Sequence, residues 1–211
     1  YPYLPAPTAN VFNNYTNAAI LTVDVVPVQL GKRYIVVTGL ANMLVVDQRA
    51  AHERILFESM MKDLASHNAA TQKLLWPETI QSSTADAAVL RELVPHLQTL
   101  GFDIAEFGHD TFIIHGIPAI MTDLISPQQA IEDILDRFKE GHQMMEMKPV
   151  EKIAFVMASN LSRRRGEIMT TEEMQSLIEQ LMASDNPYAS PSGRKTFITF
   201  GKEEILKRFQ S

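Results

Sequence analysis

Met43-Leu44-Val45-Val46-Asp47-Gln48-Arg49-Ala50-Ala51-His52-Glu53-Arg54-Ile55-Leu56-Phe57-Glu58 is the stretch that decides how the chain folds. A short apolar run suited to a strand passes directly into helix formers, so the handover falls at Asp47. A carboxylate there caps the helix and is favoured by the helix dipole. From about Ala50 to Ser66, Leu56, Met60 and Leu64 recur on one face of the expected helix, and Met60 and Met61 read as core filling.

Upstream, Ile20 to Val28, Tyr34 to Thr38 and Leu44 to Val46 are aliphatic or β-branched runs separated by Gly31-Lys32 and by Gly39 to Asn42, which predicts three sheet strands. Residues 1–17 are rich in proline and asparagine and read as an irregular linker tail. The start at Tyr1, without methionine, leads us to expect a piece of a longer protein.

Downstream, Leu74 to Ile80 is extended, and Pro77 restricts it to an edge strand or a loop. Thr84 to Leu100 has helical spacing, with Pro95 expected to bend or split it. Phe102 to Phe107 and Thr111 to Pro118 read as strands around a turn at Gly108-His109-Asp110. Ser126-Pro127-Gln128-Gln129 opens a helix with an N-cap, an N1 proline and a capping-box glutamine, and Gly141 stops it. Val150 to Leu161 follows a 3.6-residue period up to the arginine run and Gly166. Thr170 and Glu173 then form a capping box for the next helix. Thr196 to Phe200 is a final strand and Glu203 to Phe209 a short terminal helix. The pattern is α+β.

A chain of 211 residues buries a core without disulfides or structural metal. Its 45% hydrophobic and 21% charged residues are those of a soluble globular protein, and no apolar run is long enough to span a bilayer. The lack of cysteine removes disulfides, thiolate nucleophiles and thiolate metal sites. A net charge of −6 argues against a strongly basic nucleic-acid surface and points to weak DNA contact.

Three segments carry a family resemblance. Asp47, Gln48, Ala50, Glu53 and Glu58 resemble the D-Q-H-A-x-x-E-x-x-x-x-E motif of the MutL family of mismatch-repair proteins, with Arg49 in place of the histidine. Asn186-Pro187-Tyr188-Ala189-Ser190-Pro191-Ser192-Gly193-Arg194-Lys195-Thr196 resembles that family's N-P-x-x-C-P-H-G-R-P-T segment, and Ala158-Ser159-Asn160 its A-C-K/R segment. The motifs stand in family order over most of residues 18–200, so the chain is similar to the family's C-terminal domain. That resemblance implies a split dimerisation subdomain, residues 18–70 and 148–211, with a smaller α/β regulatory subdomain inserted at 71–147. It also implies a homodimer, a role in coupling mismatch recognition by MutS to downstream repair factors, and a bacterial, cytoplasmic location at the nucleoid during repair. ATP and magnesium belong to an N-terminal ATPase domain of the resembled full-length family, reached through a long linker, and no cofactor is expected in this domain.

The family's nuclease chemistry needs a divalent metal beside the phosphodiester, held by imidazole, thiolate and carboxylate ligands. Carried over by position, the ligands become Arg49, Ser159, Ser190 and Ser192, and only Asp47 and Glu53 keep good ligand types. Serine hydroxyls replace thiolate and imidazole poorly, and a fixed arginine charge repels a cation. Arg49 stands four residues before Glu53, where an exposed pair contributes about 0.2–0.5 kcal/mol. The reading is a degenerate metal site in which Arg49 pairs with Glu53, with Asp47 as a cap and His52 solvated. The alternative is a nicking endonuclease with a divergent metal site that uses Asp47 and Glu53. An unrelated α+β regulatory domain is the third reading.

Gln72-Lys73-Leu74-Leu75-Trp76-Pro77 resembles the Q-x-L-[L/I]-x-P peptide that engages the bacterial sliding clamp, with Gln72, Leu74, Leu75 and Pro77 at the motif positions. The plainer alternative is an amphipathic edge strand with both leucines in the core. Arg163, Arg164, Arg165, Arg194 and Lys195, with Lys32 and Arg33, are candidates for phosphate contact, or simply solvated charges near helix ends.

Overall fold

The computed structural model describes residues 26–39, 42–66, 69–121, 125–140, 147–162 and 167–210. The tail at 1–17, the Gly141 and Gly166 helix stops and the Arg163-Arg164-Arg165 cluster lie outside the described residues.

The chain is α+β. Among the described residues it forms two antiparallel sheets and six helices. The first sheet has the order β1-β2-β3-β7, built from β1 (Val28–Leu30), β2 (Tyr34–Thr38), β3 (Asn42–Asp47) and β7 (Phe197–Gly201). Of the expected strand from Ile20 to Val28, residues 20–25 lie outside the described residues; Val26 and Pro27 are not in a strand, and β1 begins at Val28 and runs on to Leu30. Pro27, with no amide to donate, stands immediately before it.

Helix α1 (Gln48–Ser66) follows β3 without a linker. Asp47 Oδ1 accepts the Arg49 amide at 3.1 Å and the Ala50 amide at 3.0 Å, which is the expected cap. The inner face of the sheet, with Ile35, Val37, Leu44 and Val46, packs on Ala51 of α1 and on Met174, Leu177, Ile178 and Leu181 of α5 (Thr171–Met182). The capping box of α5 is present: Thr170 Oγ1 accepts the Glu173 amide at 3.2 Å, and Glu173 accepts that of Thr170 at 2.9 Å.

Pairing register fixes what the opposite face carries. Val28, Val36, Val45 and Ile198 stand in one cross-strand row through all four strands. Leu30 pairs with Tyr34, and Met43 with Phe200, on the same side. Val28 is 62% exposed, Leu30 59% and Ile198 42%, so this apolar face is open.

The second sheet has the order β4-β6-β5, from β4 (Thr71–Gln81), β5 (Asp103–Glu106) and β6 (Thr111–Pro118). A larger core joins it to α2 (Thr84–Thr99), α3 (Pro127–Glu140), α4 (Pro149–Leu161) and the later turns of α1 through Leu56 and Met60. Pro95 neither ends nor splits α2, which runs on to Thr99. Pro95 is on the exposed side of the helix. Ser126 caps α3 by accepting the Gln129 amide at 3.1 Å, but the Gln129 side chain donates to Asp133 at 2.9 Å instead of closing a box. Surface ion pairs tie α2 to its neighbours. A hydrogen bond from Lys139 holds the Asp86 carboxyl below its ordinary range, and one from Arg91 does the same for Glu106.

As Pro77 predicts, β4 is an edge strand. Lys73 pairs with Gly116 and Glu78 with Ile114, so Leu74-Leu75-Trp76-Pro77 bulges out opposite His115. The seam below the bulge depends on Gly116, where a Cβ would lie 2.7 Å from Thr71 Cγ2 and 3.0 Å from the Gln72 carbonyl. Gly116→Ala is expected to cost about 1–3 kcal/mol in urea unfolding, the typical penalty of overpacking; an unchanged midpoint would remove this close approach as a constraint.

Candidate functional site

Helix α1 presents the motif side chains. Three of its buried polar residues, Gln48, Glu53 and Glu58, follow at five-residue intervals. Five residues turn an α-helix by about 500°, so successive members point about 140° apart. They therefore reach three different parts of the chain. Buried polar groups need partners, and each of these has one.

Gln48 is 1% exposed. Its Oε1 accepts from Gln29 Nε2 at 2.8 Å, while Gln29 also donates to the Glu167 carbonyl at 2.7 Å and accepts the Met169 amide at 3.3 Å. This cluster ties β1 to the approach to α5. Glu58 accepts the backbone amides of Asp185 at 2.8 Å and Asn186 at 3.1 Å, with Arg54 3.6 Å away. Arg54 Nε in turn donates to the Ala189 carbonyl at 2.6 Å. The Asn186–Pro187 segment is thereby pinned to α1.

Glu53 has no exposed surface, and its Oε2 accepts from Arg194 Nη2. Its Oε1 is buried without a hydrogen bond from the described residues. Arg194 sits on a tight turn in which Ser190 donates its amide to the Arg194 carbonyl at 2.8 Å and Gly193 adopts φ +79°. The Ser190 and Ser192 hydroxyls bond each other at 2.8 Å, and Arg194 Nε donates to Ser192 at 3.1 Å.

The expected Arg49–Glu53 pair does not form. Arg49 turns to the C-terminal end of α4, where its Nε donates to Ser162 Oγ at 3.3 Å and its Nη2 to the Ser159 carbonyl at 3.4 Å. Glu53 faces the 190–194 turn, and a fully buried carboxylate takes the cation on that side. The charge that answers Glu53 is therefore Arg194, a residue assigned from sequence to phosphate contact. Lys195 is exposed. Arg33 lies 3.5 Å from Asp47 and stacks over the Tyr34 ring at 4.9 Å.

This donor set does not fit a divalent metal. Asp47 is committed to two backbone amides and Glu53 to a guanidinium, Ser190 and Ser192 satisfy each other, and Arg49 brings a positive charge. Among the described residues no group of three or more His, Cys, Asp or Glu stands together. Arg49, Ser159 and Ser162 instead border an open polar groove of about 350 Å³ that Gln129, Asp133 and Asn160 close from α3 and α4.

The clamp-like segment lies on the bulge of β4. Gln72 and Pro77 are exposed, and Leu75 is 93% exposed. Leu74 packs against the larger core, so it is not a free anchor. Trp76, passed over in the sequence because it occupies a variable motif position, is 84% exposed beside Leu75.

Nothing local in the sequence marks Arg194 as the partner of Glu53, 141 residues away. Removing one side of a buried pair costs roughly 3–5 kcal/mol, and the partial exposure of Arg194 places Arg194→Met near the lower end. Denaturant unfolding checks this, with Glu53→Gln added to Arg194→Met expected to recover part of the loss.

The chain matches the family model described as MutL C terminal dimerisation domain over residues 28–169. It is 33% identical over 178 residues to the DNA mismatch repair protein MutL of Parabacteroides distasonis, covering 84% of this chain and 29% of that protein. It is 34% identical over 181 residues to the protein of the same name from Flavobacterium johnsoniae, covering 86% of this chain and 28% of the relative. The chain thus spans under a third of the length of these relatives.

Proposed function

The chain belongs to the MutL C-terminal dimerisation domain family, and from that premise we propose that it holds two copies of a mismatch-repair protein together while presenting a docking peptide to a partner. The observation that carries this reading is the open row Val28, Val36, Val45 and Ile198, flanked by Leu30, Tyr34, Met43 and Phe200. An apolar face of this extent, in a dimerisation family, calls for a second copy. Because a two-fold interface uses the same patch twice, one substitution acts at two places. In sedimentation, the 211-residue chain is expected to be dimeric at micromolar concentration and Val36→Glu monomeric. Burying an unpaired polar group costs roughly 2–7 kcal/mol, which corresponds to a loss of at least about tenfold in affinity. A monomeric unsubstituted chain would sink the reading.

In the same proposal, residues 71–147 form the inserted regulatory subdomain, and 18–70 with 148–211 the dimerisation subdomain. The dimer would serve a cytoplasmic bacterial repair protein whose remaining length carries ATP and Mg chemistry and meets MutS, with DNA contact secondary. Catalysis is not assigned to this domain, because Arg49 and the committed carboxylates of Asp47 and Glu53 oppose metal binding.

The β4 bulge supports sliding-clamp docking. An edge strand offers unpaired backbone groups, and Leu75 and Trp76 are held clear of the core as pocket anchors, with Gln72 and Pro77 framing them. Trp76 is the only tryptophan in the chain, so its fluorescence reports directly on this segment. Adding bacterial clamp should shift its emission, and Gln72→Ala with Leu75→Ala should weaken binding at least about tenfold, as expected for loss of an anchor and its hydrogen bond. An unperturbed spectrum at saturating clamp would discard the docking role.

A further inference from the structure

The dimer surface has an element that the four-strand face does not explain. Helix α6 (Lys202–Phe209) leaves Gly201 at the end of β7 and buries no residue in its own protomer. Leu206 is 47% exposed and Phe209 85%, with Ile205 half-buried. A helix of this length is marginal in water without tertiary packing, since isolated helices shorter than about 12–15 residues do not hold. The described residues of its own protomer leave Leu206 and Phe209 exposed.

The complementary surface lies at the other edge of the same sheet. Exposure across the open face is uneven: Val36 and Val45 on the central strands are half-buried, whereas Val28 and Leu30 on β1 are 62% and 59% exposed. Val26, just before β1, is 63% exposed. Two exposed apolar groups, α6 and the β1 edge, thus lie at opposite outer strands of one sheet. In a two-fold interface, if patch i of one copy meets patch j of the other, then j meets i as well. Pairing unlike edges buries both groups twice, whereas pairing like with like leaves the two copies of one group to cover themselves.

We propose that α6 is an exchanged arm: in the homodimer, Leu206 and Phe209 of each copy pack on the β1 edge of the other, against Val28 and Leu30. This rests on the homodimer reading and extends it beyond the residues 28–169 that the family model covers, since β7 and α6 lie outside that range. The occupant is a second copy because the family is one of dimerisation domains and α6 follows directly on β7, whose Ile198 and Phe200 belong to the open face.

The chain contains no cysteine, so introduced ones report cleanly. Chains carrying Leu206→Cys and chains carrying Leu30→Cys, distinguished by a mass tag, would be mixed as dimers, allowed to exchange and treated with a short bismaleimide. Unlike pairs are expected to cross-link several-fold more than either like pair. In parallel, Phe209→Asp should raise the dimer dissociation constant at least tenfold in sedimentation while leaving the circular dichroism unfolding midpoint of the monomer unchanged, because Phe209 is 85% exposed in its own protomer. Cross-links confined to like pairs, or an unchanged dissociation constant for Phe209→Asp in a chain that does dimerise, would overturn the exchanged arm and leave the homodimer standing. A chain that sediments as a monomer would overturn both.

Discussion

A carboxylate sealed from water must have a partner, and α1 buries two of them. Glu53 is answered by Arg194 and Glu58 by the amides of Asp185 and Asn186, so the segment from 185 to 196 is fixed to a helix more than a hundred residues earlier. That segment leads directly into β7, which closes the first sheet against β3. Gln48 performs the same service at the start of the helix, locking β1 and the approach to α5 together. Gln48, Glu53 and Glu58 of the motif that resembles a metal site thus tie α1 to three distant segments. Breaking any of these contacts leaves a buried group without its partner.

The same helix contributes to two cores. Ala51 and Ile55 face the first sheet, whereas Leu56 and Met60 face the second sheet's helices. A helix buried on several sides cannot show a single apolar stripe, and α1 does not. Its placement leaves each sheet with one distinctive surface. Among the described residues the first sheet has a packed core on one face, and its other face carries apolar residues on every strand. The second sheet ends in β4, whose bulge lifts Leu75 and Trp76 away from the core. One surface suits a symmetric partner of the same shape, the other an extended contact with a different partner.

Much of the local structure was legible in the chain itself. The Asp47 cap, the Thr170–Glu173 box, the β5–β6 hairpin and the edge position of the Pro77 strand follow from backbone donors and short-range spacing. The failures have equally physical causes. Of the expected strand from Ile20 to Val28 only the end lies within the described residues, where Pro27, which cannot donate to a ladder, stands just before β1. Pro95 is expected to bend or split α2, yet the helix runs past it to Thr99 with Leu90, Leu93 and Leu97 buried. Leu74 and Leu75 are adjacent and chemically alike, yet the bulge buries one and exposes the other.

What the sequence determined by itself was the order of strands and helices, the family motifs and the chemical poverty of the old ligand positions, where Arg49, Ser159, Ser190 and Ser192 stand. Those are properties of residue type and of spacing within a few turns. Only the tertiary structure decided that Glu53 belongs to Arg194 and not to Arg49, that Glu58 holds a distant backbone, and that Trp76 is exposed. Helix periodicity allows an i,i+4 pair but does not choose it. Burial removes water as an alternative partner, and the choice then falls to whichever group the fold has brought alongside.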